Sequence, residues 1–181
     1  LTILPHDYLR PQNEPFSVQN DYSFQIPQLD LPQTVFKDKY ISALSTWATL
    51  VYRLSGDDDI VLYITNNKVL RFTILPNWTF QELYNEIESQ IDKLSELSDV
   101  SFDSLSETIQ SQQDLDKCPQ LFRLAFLHNE GIKLNHFNHH LLDLAINLTV
   151  DNNSSSILAI SYNQLLYSTE RIQILADQFT Q

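Results

Sequence analysis

Glycine is almost missing from this chain: Gly56 and Gly131 are the only two among its 181 residues. Loops that cradle nucleotide phosphates need several clustered glycines, because only glycine lets the backbone approach a phosphate closely enough. Two separated glycines can build neither an adenylate loop nor a dinucleotide fingerprint. The sequence therefore predicts no cofactor-binding residues.

Cysteine and basic residues are also scarce. Cys118 is the single cysteine, so no internal disulfide can form, which favours a reducing, cytoplasmic compartment. The chain has 11 Lys and Arg against 23 Asp and Glu, a formal net charge of −12. This charge repels nucleic acid and anionic membranes, so neither is expected as a partner. No transmembrane run and no signal peptide are predicted.

What the chain does contain is a globular composition. Hydrophobic residues make up 43% of it and aromatic residues 11%, which is too apolar for a disordered protein. Its length suits one sizeable core. Because the chain starts at Leu1 and not at Met, we expect it to be a piece of a longer or processed polypeptide.

The stretch from Tyr40 to Leu75 predicts a helix and two apolar strands. A three-and-four spacing of apolar residues runs through its first part: Tyr40, Leu44, Trp47, Ala48, Val51 and Tyr52. Gly56 can take the positive φ of a helix C-terminus. The unbroken apolar run Ile60 to Ile64 is typical of a strand that is covered on both faces, and Val69 to Leu75 predicts a second strand. A helix that leads into a buried strand indicates a layered α/β core.

The first 34 residues predict a proline-rich extended arm, followed by one globular domain over residues 35–181. Five prolines forbid a long helix here: Pro5, Pro11, Pro15, Pro27 and Pro32. Tyr22 to Ile26 alternates and predicts a short edge strand. We expect residues 4–32 to lie extended across the α/β layer, held by eight apolar anchors: Tyr8, Leu9, Phe16, Tyr22, Phe24, Ile26, Leu29 and Leu31.

His6 and Asp7 lie in this arm. A metal-binding or acid/base role is one hypothesis for them. We favour a polar loop anchored by Tyr8 and Leu9, because the spacing carries no ligand signature.

Further along, local signals mark two helix starts. Thr79 and Glu82 form a capping box, and Ser168 is predicted to cap the last helix. A helix is predicted over residues 101–112. The acidic residues of the second helix and beyond are interpreted as a solvated face, not as a metal site: Glu86, Glu88, Asp92, Glu96 and Asp99. Cys118 lacks an activating partner in sequence and is interpreted as a small buried or half-buried thiol, not as a nucleophile.

Alternation predicts three strands in the last third of the chain. Gln120 to Leu127 forms the first. His139 to Val150 forms the second, with Leu142 on the same face as Leu144, and Ile157 to Tyr162 returns as its hairpin partner.

Several of these segments resemble the condensation domains of peptide synthetases. The resemblance lies in Gly56 to Leu62, in Phe102 to Leu105, in Pro119 to Leu124 and in the closing strand pair with its helix. It implies the C-terminal half of a chloramphenicol-acetyltransferase-like α/β (α+β) fold, a mixed sheet with helices packed on it.

Other segments resemble the N-terminal region of the fungal L-2-aminoadipate reductase family: Leu4 to Pro11, Pro27 to Pro32, Asn66 to Phe72 and Ala176 to Gln181. The resemblance implies a parent oxidoreductase of lysine biosynthesis. That enzyme activates 2-aminoadipate with ATP and Mg, carries it on phosphopantetheine and reduces it with NADPH. It further implies that those cofactors bind elsewhere in the parent, and that the partner of this region is the downstream adenylation domain, with self-association as an alternative.

His139 and His140 invite comparison with the catalytic His-His-x-x-x-Asp-Gly motif of condensation domains. Here Asp143 follows one residue too early and the glycine is missing. On a strand, His140 and Asp143 would point to opposite faces, so they could not act together. We therefore predict no catalytic and no metal-binding residues, and favour a non-catalytic scaffold. The alternatives are a small acyltransferase using His139 or His140 and an acidic interaction module.

Overall fold

The computed structural model describes residues 2–10, 19–26, 38–65, 68–96, 123–128, 142–150 and 156–180. Within them lie six strands and three helices. The strands are β1 (Gln19–Ile26), β2 (Asp59–Ile64), β3 (Lys68–Thr73), β4 (Leu124–His128), β5 (Leu144–Val150) and β6 (Ser156–Asn163). The helices are α1 (Lys39–Ser55), α2 (Phe80–Glu96) and α3 (Thr169–Phe179).

The strands form one mixed sheet in the order β1-β6-β5-β4-β2-β3. The strands β2, β4 and β5 run parallel, whereas β1, β3 and β6 are antiparallel to their neighbours. This arrangement confirms the predicted mixed sheet. The strand predicted at Tyr22 to Ile26 is part of β1, which lies at a sheet edge as expected.

The main core lies between one face of the sheet and the helices. Trp47 of α1, Ile87 of α2 and Ile172 of α3 all join this core, together with Phe126 of β4 and Ile146 of β5. The opposite face carries a smaller buried cluster: Tyr63, Ala125, Leu127, Leu142 and Ala145. The sheet is therefore buried on both faces, as the apolar run in β2 predicts.

The local helix signals are confirmed. Gly56 has φ 74° and ends α1, and its N–H donates to the Tyr52 carbonyl at 3.0 Å. In the capping box, the Glu82 carboxylate accepts from the Thr79 N–H at 2.7 Å, and this bond lowers the pKa of Glu82. The Ser168 hydroxyl accepts from the Arg171 N–H at 3.2 Å and caps α3.

The strand predicted from His139 was wrong at its start. The connection from β4 to the parallel strand β5 ends in a bend at Asp143, and β5 begins only at Leu144. Because the bend breaks the alternation, Leu142 packs with Ala145 on the smaller cluster and not beside Leu144. His139 to Leu141 lie outside the described residues, as do the predicted helix at 101–112, Cys118 and Asp99.

The arm prediction named the wrong anchors at its start. The side chains of Tyr8 and Leu9 are 52% and 96% exposed, whereas Thr2 and Leu4 are buried. The backbone explains this, since the N–H groups of Asp7 and Tyr8 both donate to the Leu166 carbonyl and hold the segment by its main chain. The other six predicted anchors lie outside the described side chains, and the domain boundary after residue 34 stays a prediction.

In the part of the chain that the structure describes, none of the helices is both long enough and apolar enough to cross a membrane.

Replacing Gly56 by Ala should lower the free energy of unfolding by about 1 kcal/mol. No atom lies within 4 Å of the Cβ that Ala would add, so the cost comes from the positive φ alone. Urea unfolding should show this loss, and Gly56→Asn should lose less, because Asn tolerates the left-handed region better than Ala. Equal losses for the two variants would contradict this account.

Candidate functional site

Asp143 is the centre of a buried ionic cluster. Its side chain is 1% exposed, and its Oδ2 atom lies 2.5 Å from Arg10 Nη2, 3.2 Å from Arg123 Nη1 and 3.5 Å from His6 Nε2. His6 and Arg10 come from the N-terminal segment, Arg123 precedes β4, and Asp143 precedes β5. One carboxylate thus gathers three basic side chains from distant parts of the chain.

The backbone fixes this carboxylate where three strands meet. The Asp143 N–H donates to the Arg123 carbonyl at 2.8 Å, and the Asp143 carbonyl accepts from the Asn163 N–H at 2.9 Å. These bonds join the starts of β4 and β5 to the end of β6. The cluster therefore lies at the end of the sheet at which the parallel strands begin.

The charges around Asp143 keep it ionised. Burial alone would raise the pKa of Asp143, but hydrogen bonds and charges from His6, Arg10 and Arg123 outweigh it and lower the pKa. Tyr167 lies beside the cluster, its ring 5.4 Å from that of His6 and nearly perpendicular to it. Burial, and then the negative charge of Asp143, raise the pKa of Tyr167, so its hydroxyl stays protonated.

We call residues 2–10 the N-terminal strap, because they cross the start of the parallel strands. At one end, Thr2 Oγ1 donates to the Asp59 carbonyl at 3.2 Å and accepts from the Val61 N–H at 2.9 Å. At the other end, Asp7 Oδ2 accepts from the Ser168 N–H at 2.9 Å, at the start of α3. The strap thus ties β2 to α3, and Arg10 fastens it to Asp143.

We call this cluster a clasp, because it holds the strap on the sheet through ionic contacts and is not arranged for proton transfer. A general base must reach the proton of a substrate through a free oxygen. Asp143 Oδ2 is already bound by cations. Its Oδ1, the Tyr167 hydroxyl and Arg123 Nε are buried and make no hydrogen bond to protein. Buried polar atoms of this kind are commonly bridged by internal water.

A second polar feature is an open groove of about 730 Å³ near β3 and α2. It is lined by Asp58, Asp59, Arg71, Phe72, Thr73, Leu75, Trp78, Glu86 and Gln90. Arg71 binds Asp59 with two parallel hydrogen bonds of 2.9 and 2.7 Å. This bidentate pair lowers the pKa of Asp59.

Elsewhere, the ring of His128 stacks on that of Tyr40, with centroids 5.0 Å apart. Burial lowers the pKa of His128, with a smaller opposing effect from Asp38. Among the described residues, no group of three or more His, Cys, Asp or Glu side chains could hold a metal ion. Glu86 accepts a hydrogen bond from Gln90 one turn along α2.

The structure places the residues singled out from sequence as follows. His139 and His140 lie outside the described residues. His6 and Asp143 come together, and Asp7 caps a helix through Ser168. Sequence reasoning missed Arg10 and Arg123, because neither stands at a motif spacing from Asp143. The only available signal was that Asp143 interrupts an apolar strand with a charge.

No protein-family model matches the chain. The chain is 58% identical to the L-2-aminoadipate reductase of Saccharomyces cerevisiae over 182 residues, which covers all of this chain and 13% of the relative. It is 46% identical to the L-2-aminoadipate reductase large subunit of Candida glabrata, covering 99% of this chain and 12% of the relative. The chain therefore spans about an eighth of the length of these relatives.

Solved structures show the same fold. The X-domain from teicoplanin biosynthesis matches with a TM-score of 0.78 and 16% identity, over 99% of this chain and 49% of that one. The condensation domain from Monacolin K polyketide synthase matches with a TM-score of 0.71 and 15% identity, over 98% and 51%. The predicted condensation-type fold is confirmed, and the chain corresponds to about half of each of these structures.

Replacing Asp143 by Asn should lower the free energy of unfolding by about 3 kcal/mol, because it leaves three basic side chains facing a neutral group in a buried site. Asp59→Asn removes an ion pair as well, but an exposed one, and should cost at most about 1 kcal/mol. Chemical unfolding of both variants beside the unmodified chain measures the two losses. A loss at Asp143 no larger than that at Asp59 would rule out the clasp.

The contribution of Asp143 should also depend on pH. Its pKa is lowered in the folded state, so its stabilisation is complete above the unfolded pKa of about 3.9 and is lost as the pH falls through the folded pKa. The stability difference between the unmodified chain and Asp143→Asn should therefore shrink as the pH falls below about 4. His6, Arg10, Arg123 and Tyr167 surround the carboxylate and are present in both proteins. A difference that did not shrink below that pH would contradict the assignment.

Proposed function

Because this chain is homologous over its whole length to one part of the fungal L-2-aminoadipate reductases, we propose that it is their N-terminal condensation-like region and acts as a non-catalytic scaffold. The scaffold docks on the downstream adenylation domain of the same polypeptide. The whole enzyme reduces L-2-aminoadipate to its semialdehyde through an adenylate and a carrier-bound thioester. ATP with Mg, phosphopantetheine and NADPH act in other domains.

The burial and ion pairing of Asp143 are the observation that supports the non-catalytic role most directly. It is the acidic residue nearest to the His-His pair in sequence, and it is buried under the strap with its Oδ2 bound by cations. With Oδ2 bound by Arg10 and Arg123 and the side chain 1% exposed, Asp143 has no exposed oxygen to offer to a substrate. The acyltransferase alternative would need His139 or His140 to act without it.

The outer side of the strap is a candidate docking surface for the adenylation domain. Tyr8 and Leu9 are exposed there, next to the start of α3. Adjacent exposed apolar side chains are typical of protein contacts. The acidic net charge disfavours the alternative in which two copies of this region associate.

Deleting this region from the full-length reductase should lower the melting temperature more than it lowers adenylation per folded molecule. The reason is that a scaffold contributes buried contacts and no reacting groups. Thermal unfolding beside single-turnover adenylation of L-2-aminoadipate, for full-length and truncated enzyme, measures both quantities. Unchanged stability with lost adenylation would mean that the region acts in the chemistry.

His140→Ala in the full-length enzyme is the matched control. It should leave kcat within a few-fold, since a catalytic base contributes about a hundredfold or more. A hundredfold loss with the fold intact by circular dichroism would instead support the acyltransferase reading.

A further inference from the structure

Among the described residues, β3 is the last strand on one side of the sheet, and its backbone shows which groups face outward. The Ile74 N–H donates to the Asp58 carbonyl at 2.8 Å, in the same register that pairs Phe72 with Ile60. In an antiparallel ladder, alternate residues direct their N–H and C=O groups to the same neighbour. Val69, Arg71 and Thr73 therefore direct theirs away from β2, toward the edge of the sheet.

The groove described above runs along this edge. Arg71, Phe72 and Thr73 all line it, although successive strand residues point to opposite faces of a sheet. A groove bordered by both faces of one strand must follow the edge of that strand. An extended segment lying in it would meet the outward backbone groups of Arg71 and Thr73.

The side chains of the groove select the charge of such a segment. Asp59 is neutralised by Arg71, which leaves the carboxylates of Asp58 and Glu86 as the surplus charge. Trp78 offers an aromatic ring beside them, and cations bind favourably over an indole face. Lysine or arginine side chains suit these groups, and acidic ones are repelled.

We propose that this groove binds an extended, basic peptide segment of another protein, which adds a strand to the β3 edge. A second copy of this chain does not fit, because it carries a net charge of −12 and would bring the same carboxylates together. The inference stands on the edge geometry and the groove charges, so it does not depend on the proposed function.

The test uses the 181-residue chain and a fluorescein-labelled peptide of alternating lysine and valine, matched in length to the six residues of β3. Binding, measured by fluorescence anisotropy at low salt, should be accompanied by protection of the Arg71 and Thr73 amides from hydrogen exchange. Thr73→Pro removes one outward N–H but no bond to β2, and should weaken binding about fivefold or more. Asp58→Asn and Glu86→Gln should each weaken it about twofold.

Two controls separate the proposal from general charge attraction. Asp92→Asn makes the same charge change at an exposed position of α2 outside the groove, and should leave binding unchanged. The same peptide with alternate backbone amides methylated, which needs no change in the protein, should bind at least about fivefold more weakly.

Three results would overturn the proposal. One is equal weakening by Asp92→Asn and Glu86→Gln. Another is binding that is insensitive to backbone methylation. The third is concentration-dependent self-association, measured by sedimentation, that occupies the β3 edge in place of the peptide.

Discussion

The negative charge of Asp143 is buried at the point where β4, β5 and β6 come together, and the position of the N-terminal strap depends on it. A buried ion pair gains little net stability over well-packed apolar groups, because desolvation offsets most of the attraction. What it does provide is selectivity, since removing either partner leaves an uncompensated charge inside the protein. Arg10 therefore has one favourable place to bind, and the strap is fixed in register on the sheet.

The fixed strap in turn determines which surfaces are covered. Thr2 bonds to the backbone at the start of β2, Leu4 enters the main core, and Asp7 bonds to the capping residue of α3. These contacts lie at different places on the sheet and its helices, so the strap links β2 to the start of α3, which are far apart in the sequence. Because the main chain of Asp7 and Tyr8 bonds to Leu166, the side chains of Tyr8 and Leu9 are left on the outside.

Sequence could predict the local part of this structure. The positive φ at Gly56, the capping box at Thr79 and the cap at Ser168 depend on residues within a few positions. Apolar runs and alternation located the strands. The cluster could not be predicted, because Arg10 and Asp143 are separated by 133 positions and share no motif. The errors at Leu142 and Leu9 have the same origin, since the bend at Asp143 and the backbone bonds of the strap arise from long-range contacts.

Charge explains how the β3 edge, which no other described strand covers, avoids pairing with the same edge of a second copy. A strand edge presents unpaired N–H and C=O groups and is a ready template for another strand. At β3 this risk is limited by charge, since Asp58 and Glu86 flank the edge and would meet their own counterparts in a second copy. Arg71 is held by Asp59 and adds no free positive charge to offset them. An acidic edge thus discriminates between partners by repelling other acidic strands, and the specificity comes as much from exclusion as from attraction.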